Sequence, residues 1–173
     1  MVPSVESVIR LAYLREIRRA RVSIMIASAY FLPGPLFLLA LRRAAKRGVN
    51  VRVLVPGRSD VWLVTLAAAS VIGRMLDDGV EVYAYAGRML HSKTAVFDER
   101  VLMIGSHNLD ALSWRFNLEC NLLVHNPAFA AHAARSFELD LDDAQQLELA
   151  AWQKRPWTIR LLAWFIAFFR PLL

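Results

Sequence analysis

One short stretch of the chain carries residue types suited to phosphorus chemistry: His91-Ser92-Lys93-Thr94-Ala95-Val96-Phe97-Asp98, followed by Gly105-Ser106-His107-Asn108. Residues two apart on a strand point to the same face, so a strand here sets His91 beside Lys93. A neutral imidazole can attack phosphorus covalently, and the lysine ammonium is a compact charge for the non-bridging oxygens. Gly105 ends the partner strand and lets the backbone turn closely, which brings the Ser106 hydroxyl and Asn108 within donating reach of the same phosphate. Glu119, on the next predicted strand, can accept from the other imidazole nitrogen and fix the tautomer. Each residue alone is ordinary: a lone histidine in an apolar strand is most often a packed core residue, Asn108 a turn residue and Glu119 an edge charge. The ordered set HxKx4Dx6GSxN across one predicted hairpin has a low chance rate.

The elements that position this set follow from hydrophobic periodicity. Val5, Val8, Ile9, Ala12, Tyr13 and Ile17 recur at helical spacing behind Ser4. Val22, Ile24 and Ile26 alternate as a strand. A helix from Leu36 to Arg47 should stop at Gly48, and Val49, Val51, Val53 and Val55 form a second strand, broken by Pro56-Gly57-Arg58. A helix over Val61–Leu76 ending at Gly79 and a strand over Val80–Tyr85 come next. The rhythm then changes to three close-set strands, Met89–Phe97, Val101–Gly105 and Glu119–Val124, the first two joined by a tight turn at Asp98-Glu99-Arg100. Helical periodicity returns from Pro127 to about Leu139. The pattern predicts an α/β fold, a mixed β-sheet flanked by helices on both faces, in one domain over residues 1–155.

Composition bounds the rest. The chain has 173 residues, of which 57 % are hydrophobic and 21 % charged, so it can bury enough surface to offset its ordering entropy and disorder is excluded. The lone Cys120 excludes an intrachain disulfide and a cysteine-rich zinc site, in keeping with a reducing compartment. No secretion signal is expected, because Arg10, Arg15, Arg18 and Arg19 interrupt the first apolar pattern. Residues 1–50 hold nine basic and two acidic side chains, whereas residues 101–150 hold two and seven. A basic region of this kind suits phosphate-bearing partners, nucleic acid or anionic lipid; Arg42, Arg43, Lys46 and Arg47 read equally well as a solvated helix face. The nine apolar residues Leu161–Phe169 are too few to span a bilayer, which takes about 20. With Trp157, Trp164, Phe165, Phe168 and Phe169 beside Arg160 and Arg170, residues 156–173 read as an interfacial membrane element, or as a terminal helix packed on the domain or a partner.

The His91–Asn108 pattern is the signature of the phospholipase D superfamily, and the chain resembles its bacterial cardiolipin synthases. Ala29-Tyr30-Phe31-Leu32-Pro33, Ala44-Ala45-Lys46-Arg47-Gly48-Val49-Asn50-Val51, Pro56-Gly57-Arg58-Ser59-Asp60, the run from Gly105 to Asp110 with Ser113, Asn117 and Glu119, and the closing Pro171-Leu172-Leu173 carry the resemblance. It covers nearly the whole chain and matches the C-terminal half of such a synthase. It implies that His91 is a catalytic histidine, that Lys93 and Asn108 bind phosphate, that Glu119 supports His91, and that Asp98 and Gly105 are structural. It implies no metal or cofactor, Lys and Asn supplying the charge stabilisation. Leu112 stands where a basic residue is usual in the family. One motif is present where the family uses two: His107, His125 and His132 have no lysine two residues on. His107 could line the site within its loop, while His125 and His132 read as surface or helix-face residues.

The implied activity is phosphatidyl transfer between phosphatidylglycerol molecules through a phosphohistidine, at the cell membrane as a peripheral protein, with the second motif from an identical chain or a complementary half-domain. The alternatives are a phospholipase D-like phosphodiesterase or endonuclease working as a homodimer, and an inactive separated half of a synthase. Nucleic acid is the less favoured partner, because the aromatic tail has no use in a nuclease.

Overall fold

The apolar alternation that marks the strands also decides which of them are central. In the computed structural model, which describes residues 5–57, 62–87, 89–110 and 118–157, the six residues of β1 (Ser23–Ser28) are all buried. On one side of β1 lies β2 (Asn50–Pro56), followed by β3 (Glu81–Tyr85), all three parallel. On the other side β4 (Lys93–Phe97), β5 (Val101–Gly105) and β6 (Asn121–His125) run antiparallel to their neighbours, and a short β7 (Ala144–Gln146) closes the far edge on β3. The order is β6-β5-β4-β1-β2-β3-β7, a mixed seven-stranded sheet.

Helices cover both faces. On one, α1 (Val5–Arg19), α2 (Pro35–Lys46) and α3 (Trp62–Asp77) pack on Ile24, Ile26, Val51, Val53, Ala95 and Phe97. On the other, α4 (Pro127–Asp142) sets Ala130, Ala134 and Phe137 against Met25, Leu54 and Val96. The split follows strand parity: neighbours such as Ile24 and Met25 point to opposite faces. Gly48 and Gly79 end α2 and α3 in left-handed backbone, at φ +85° and +80°, a conformation that costs a side chain bearing Cβ. A last short helix, α5 (Leu149–Gln153), lies against α3.

The sheet begins later in two places than periodicity predicts. The strand expected over Met89–Phe97 starts at Lys93, because β1 ends at Ser28, which pairs with Lys93. Residues 89–91 therefore have no neighbour to ladder on; the last link is Ala29 N–H donating to the Ser92 carbonyl at 3.0 Å. His91 thus stands just before the strand. Likewise Glu119 precedes β6, which starts at Asn121 opposite Gly105. Both β7 and α5 went unpredicted: Ala144-Gln145-Gln146 has no apolar alternation and is held through backbone, Leu147 N–H to Val82 O and Ala86 N–H to Asp143 O, both 2.8 Å. Among the described residues no helix is long and apolar enough to cross a membrane. The interfacial tail falls almost wholly on residues 158–173, outside the described residues, as do Leu112, Ser113, Asn117 and Arg58-Ser59-Asp60.

Candidate active site

Four chain segments meet at the end of the sheet where β1 stops and β4 begins. Ala29 is tied to Ser92, as above. Phe31 bridges to Leu109, and Leu32 N–H donates to the Leu109 carbonyl at 2.7 Å, so the loop after β1 is fastened to the loop that carries Asn108. Gly105 closes β5 opposite Asn121. A Cβ at Gly105 would overlap the Cys120 carbonyl oxygen and come within 2.6 Å of the Asn121 Cα. This is the position where glycine is required, because two backbones pass in contact.

Although His91 is off the strand, its ring and Lys93 are together. The Lys93 ammonium donates to the His91 carbonyl oxygen at 3.1 Å and to His91 Nε2 at 3.2 Å. An ammonium has no acceptor, so in this contact Nε2 carries the lone pair. With that lone pair facing the ammonium, the ring proton sits on Nδ1. Burial lowers the Lys93 pKa, while the carboxylates of Glu119 and Asp110 act to raise it. The lysine charge thus sits among two acids and an imidazole, with His91 itself exposed.

Glu119 and Ser106 are coupled. The Ser106 hydroxyl donates to Glu119 Oε2 and accepts the Cys120 N–H at 3.0 Å, while Ser106 N–H donates to the Cys120 carbonyl, also at 3.0 Å. A hydroxyl has one proton to give, and this one is committed to the carboxylate. The expected Ser106 donation to phosphate therefore gives way to an anchoring role, in which the serine fixes Glu119 beside Lys93. Asn108 is half-buried, and its side-chain oxygen is buried with no protein hydrogen bond; that oxygen is an acceptor, so a phosphate oxygen can be held only by the Nδ2 amide. His107, expected to be able to line the site, is 1 % exposed, with its N–H donating to Asn121 Oδ1 at 3.2 Å. His125 and His132 lie exposed on β6 and α4.

Asp98 is at the opposite end of β4. Its carboxylate accepts the backbone N–H of Arg21, Val22 and Ser23 at 2.8–3.1 Å, which ties the start of β1 to the β4–β5 turn. Burial pushes the carboxyl up, and the N–H donors of Ser23, Val22 and Arg21, with the Arg100 charge, outweigh it, so Asp98 titrates below the usual aspartate range. Asp98 and Glu99 both have φ +52°, the left-handed pair that a tight hairpin turn demands.

Sequence reasoning missed two participants. Asp110, 6 % exposed, acts on Lys93, and Asn121 supports His107 while lying against Tyr13 of α1. Asp110 closes the run from Gly105 that carries the resemblance but was given no role there, and Asn121 opens a strand with no signal of its own. A groove lined by Ala29, Phe31, Val55, Ala68, Ile72 and Trp152 runs along the carboxyl ends of β1 and β2 beside this site. Among the described residues no His, Cys, Asp and Glu cluster has the grouping of a metal centre.

The family model for "Cardiolipin synthase, PLD-like domain" matches residues 13–141. The chain belongs to this cardiolipin synthase family of phospholipase D-like domains. Among the family's characterised members, cardiolipin synthase B of Salmonella typhi is 37 % identical over 146 residues, 84 % of this chain and 35 % of that protein. Cardiolipin synthase 1 of Staphylococcus epidermidis is 32 % identical over 165 residues, 95 % of this chain and 34 % of that protein. The chain spans about a third of the length of the curated relatives it matches. The fold of this phospholipase D-like domain is shared with Nuc of Salmonella typhimurium, a phospholipase D family member, at TM-score 0.70 and 23 % identity over 80 % of this chain and 90 % of that one. It is shared also with phosphatidylserine synthase of Haemophilus influenzae, at TM-score 0.74 and 14 % identity over 99 % and 46 %.

Proposed function

We propose that the chain is a catalytic half of a cardiolipin synthase-type phosphatidyltransferase, acting at a membrane surface as a peripheral protein. The observation that carries this is the 32–37 % identity to cardiolipin synthases in a chain that sets His91 and Lys93 in contact at one end of the sheet. His91 Nε2 attacks the phosphorus of phosphatidylglycerol, the phosphorus–oxygen bond to the headgroup glycerol breaks, and a second histidine protonates that oxygen. The second histidine then takes the proton from a hydroxyl of another phosphatidylglycerol, whose oxygen displaces His91, giving cardiolipin. Lys93 and Asn108 hold the non-bridging oxygens while the charge develops, and Glu119, fixed by Ser106, positions the neighbouring charges.

In-line displacement needs a nucleophile and a proton donor on opposite sides of the phosphorus. One imidazole cannot stand on both sides, and His107 is buried. The donor comes from a second motif, supplied by an identical chain across a two-fold axis or by a complementary half-domain. Ile104, Leu118 and Leu122, exposed beside Gly105 and Glu119, offer apolar surface for that contact. Incubation with phosphatidylglycerol vesicles and lipid mass analysis should show cardiolipin and free glycerol. Quenching in alkaline detergent with phosphorus-labelled substrate should leave acid-labile label on the peptide containing His91. Release of phosphatidic acid alone, or label only on another chain's histidine, overturns transfer or the assignment of His91 as nucleophile, respectively.

A further inference from the structure

α1 and α2 lie side by side and parallel. Arg47 Nη2, at the end of α2, donates to the carbonyls of Ile17, Arg18 and Ala20 at the end of α1, at 3.0–3.4 Å. The Tyr13 and Phe37 rings meet edge-on with centroids 5.7 Å apart. Since α2 starts three residues after the Leu32–Leu109 link, the amino-terminal ends of both helices come to the end of the sheet that holds His91 and Lys93. They are also on the same side. Lys93 shares strand parity with Ala95 and Phe97, which pack under α1–α3.

The outer surface of this helix pair is graded. Its site-proximal end exposes Val8 (52 %), Leu11 (58 %), Leu36 (61 %) and Leu39 (38 %), with Arg10 between the first two. Its other half exposes Arg15, Arg18, Arg19, Arg43 and Lys46. Among the described side chains of the two helices the acid is Glu16, which is buried and paired with Arg15 at 2.8 Å. The opposite face of the molecule is acidic: α4 ends in Glu138, Asp140 and Asp142, followed by Asp143, with no basic residue in its last turn.

We infer that the α1–α2 surface docks on an anionic lipid bilayer, its four apolar tips entering the interface beside the site mouth and its basic half lying on the headgroups. Charge complementarity selects an anionic partner, and the apolar tips select a bilayer over a nucleic acid backbone, which offers them nothing to bury against. The acidic α4 face orients the molecule by repulsion, so the site edge turns toward the lipid. The choice of lipid as occupant rests on the transfer reading above. Docking is distinct from that reading in being carried by residues that take no part in the chemistry.

The test is co-sedimentation of the full chain with vesicles of phosphatidylglycerol and phosphatidylcholine, set against phosphatidylcholine alone. Binding should need the anionic lipid. Arg43→Glu/Lys46→Glu should weaken it roughly tenfold or more, and Leu11→Ser/Leu36→Ser roughly tenfold with little dependence on salt. Arg135→Glu, which reverses an exposed charge on α4, should leave it within about twofold by the same electrostatics. Leu36→Trp, an enlargement at an exposed tip, should tighten it. Vesicle binding that the three α1–α2 variants leave unchanged overturns the inference in favour of another segment. Loss of duplex DNA binding in Arg43→Glu/Lys46→Glu with vesicle binding intact overturns it in favour of nucleic acid. His91→Ala should sediment like the wild-type protein. Anionic docking without cardiolipin formation overturns the transfer reading and leaves the docking surface standing.

Discussion

The two ends of the β4–β5 hairpin are built to opposite rules. At the Asp98 end, one carboxylate receives three consecutive backbone N–H groups and the turn residues sit in the left-handed conformation that the hairpin twist requires. At the His91 end the ladder stops early, the imidazole projects from irregular chain, and Asn108 keeps a buried oxygen with no protein partner. The ends are separated by a five-residue strand, about 15 Å, so Asp98 touches no phosphate held at His91. One sequence pattern, HxKx4D, thus spans two arrangements: a fastening at one end that sets the register, and at the other an end left outside the ladder. The fastening lets the open end be loose without being misplaced.

The sharpest way to break this comparison is to strip chemistry from one end alone. His91→Ala should lower phosphatidyl transfer by roughly a thousandfold or more, and Lys93→Met by about a hundredfold, the scale of losing a nucleophile and an electrostatic clamp respectively. Neither side chain supports the core, so the midpoint of thermal unfolding should stay within about 2 °C of wild type. A large fall in unfolding temperature with either variant would show that the open end is also a fastening.

Asp98→Ala is the reciprocal test. It leaves the buried Ser23 N–H without an acceptor, hands those of Arg21 and Val22 to water, and should cost about 2 kcal/mol, a drop of about 4–8 °C in unfolding temperature for a chain of this size. Turnover by the folded protein, measured well below that temperature, should stay within about threefold. A loss comparable to that of His91→Ala with full stability would place Asp98 in the chemistry.

How much of this was legible in the sequence follows the same division. The strands of the buried sheet and the hairpin turn were readable because Val51, Val53 and Val55, or Asp98-Glu99-Arg100, carry local signals of periodicity and turn chemistry. The chemistry-bearing residues were readable by type and spacing. What their spacing could not convey was how far β1 extends to pair them, so His91 and Glu119 were each placed on strands that begin two residues later. The commitment of the Ser106 proton to Glu119, the burial of His107 and the approach of Asp110 to Lys93 all depend on how loops from distant parts of the chain cross at Leu109 and Cys120. β7 stayed hidden for a related reason: its pairing is backbone on backbone and leaves no pattern in Ala144-Gln145-Gln146.

A subtler contrast concerns charge at the open end. Burial draws the Lys93 pKa down, and Glu119 and Asp110 counter it. Glu119→Gln keeps an acceptor for the Ser106 hydroxyl, so the loop stays anchored, but it removes one of the two negative charges. Without it the Lys93 proton leaves at lower pH. Because Lys93 must be protonated to hold the phosphate, the alkaline limb of kcat/KM should move to lower pH. A limb that stays in place or moves upward would show that Lys93 is not the group being titrated there.

The smallest effect tests the fastened end. Asp98→Asn keeps an oxygen acceptor and a residue type that tolerates φ +52°, so its cost at neutral pH should fall below about 1 kcal/mol. What it removes is the charge. A carboxylate whose folded-state pKa is depressed contributes stability above its unfolded pKa of about 3.9 and loses it as pH falls through the lower folded value. The wild type should therefore outlast Asp98→Asn at pH 7, and the gap should close on acidification only in the window below that unfolded value. Thermal melts of both proteins from pH 7 down through that window measure it directly. A gap that stays constant across the range would mean that the backbone donors hold Asp98 by its shape and oxygen alone, and that its negative charge adds nothing to the register of the hairpin.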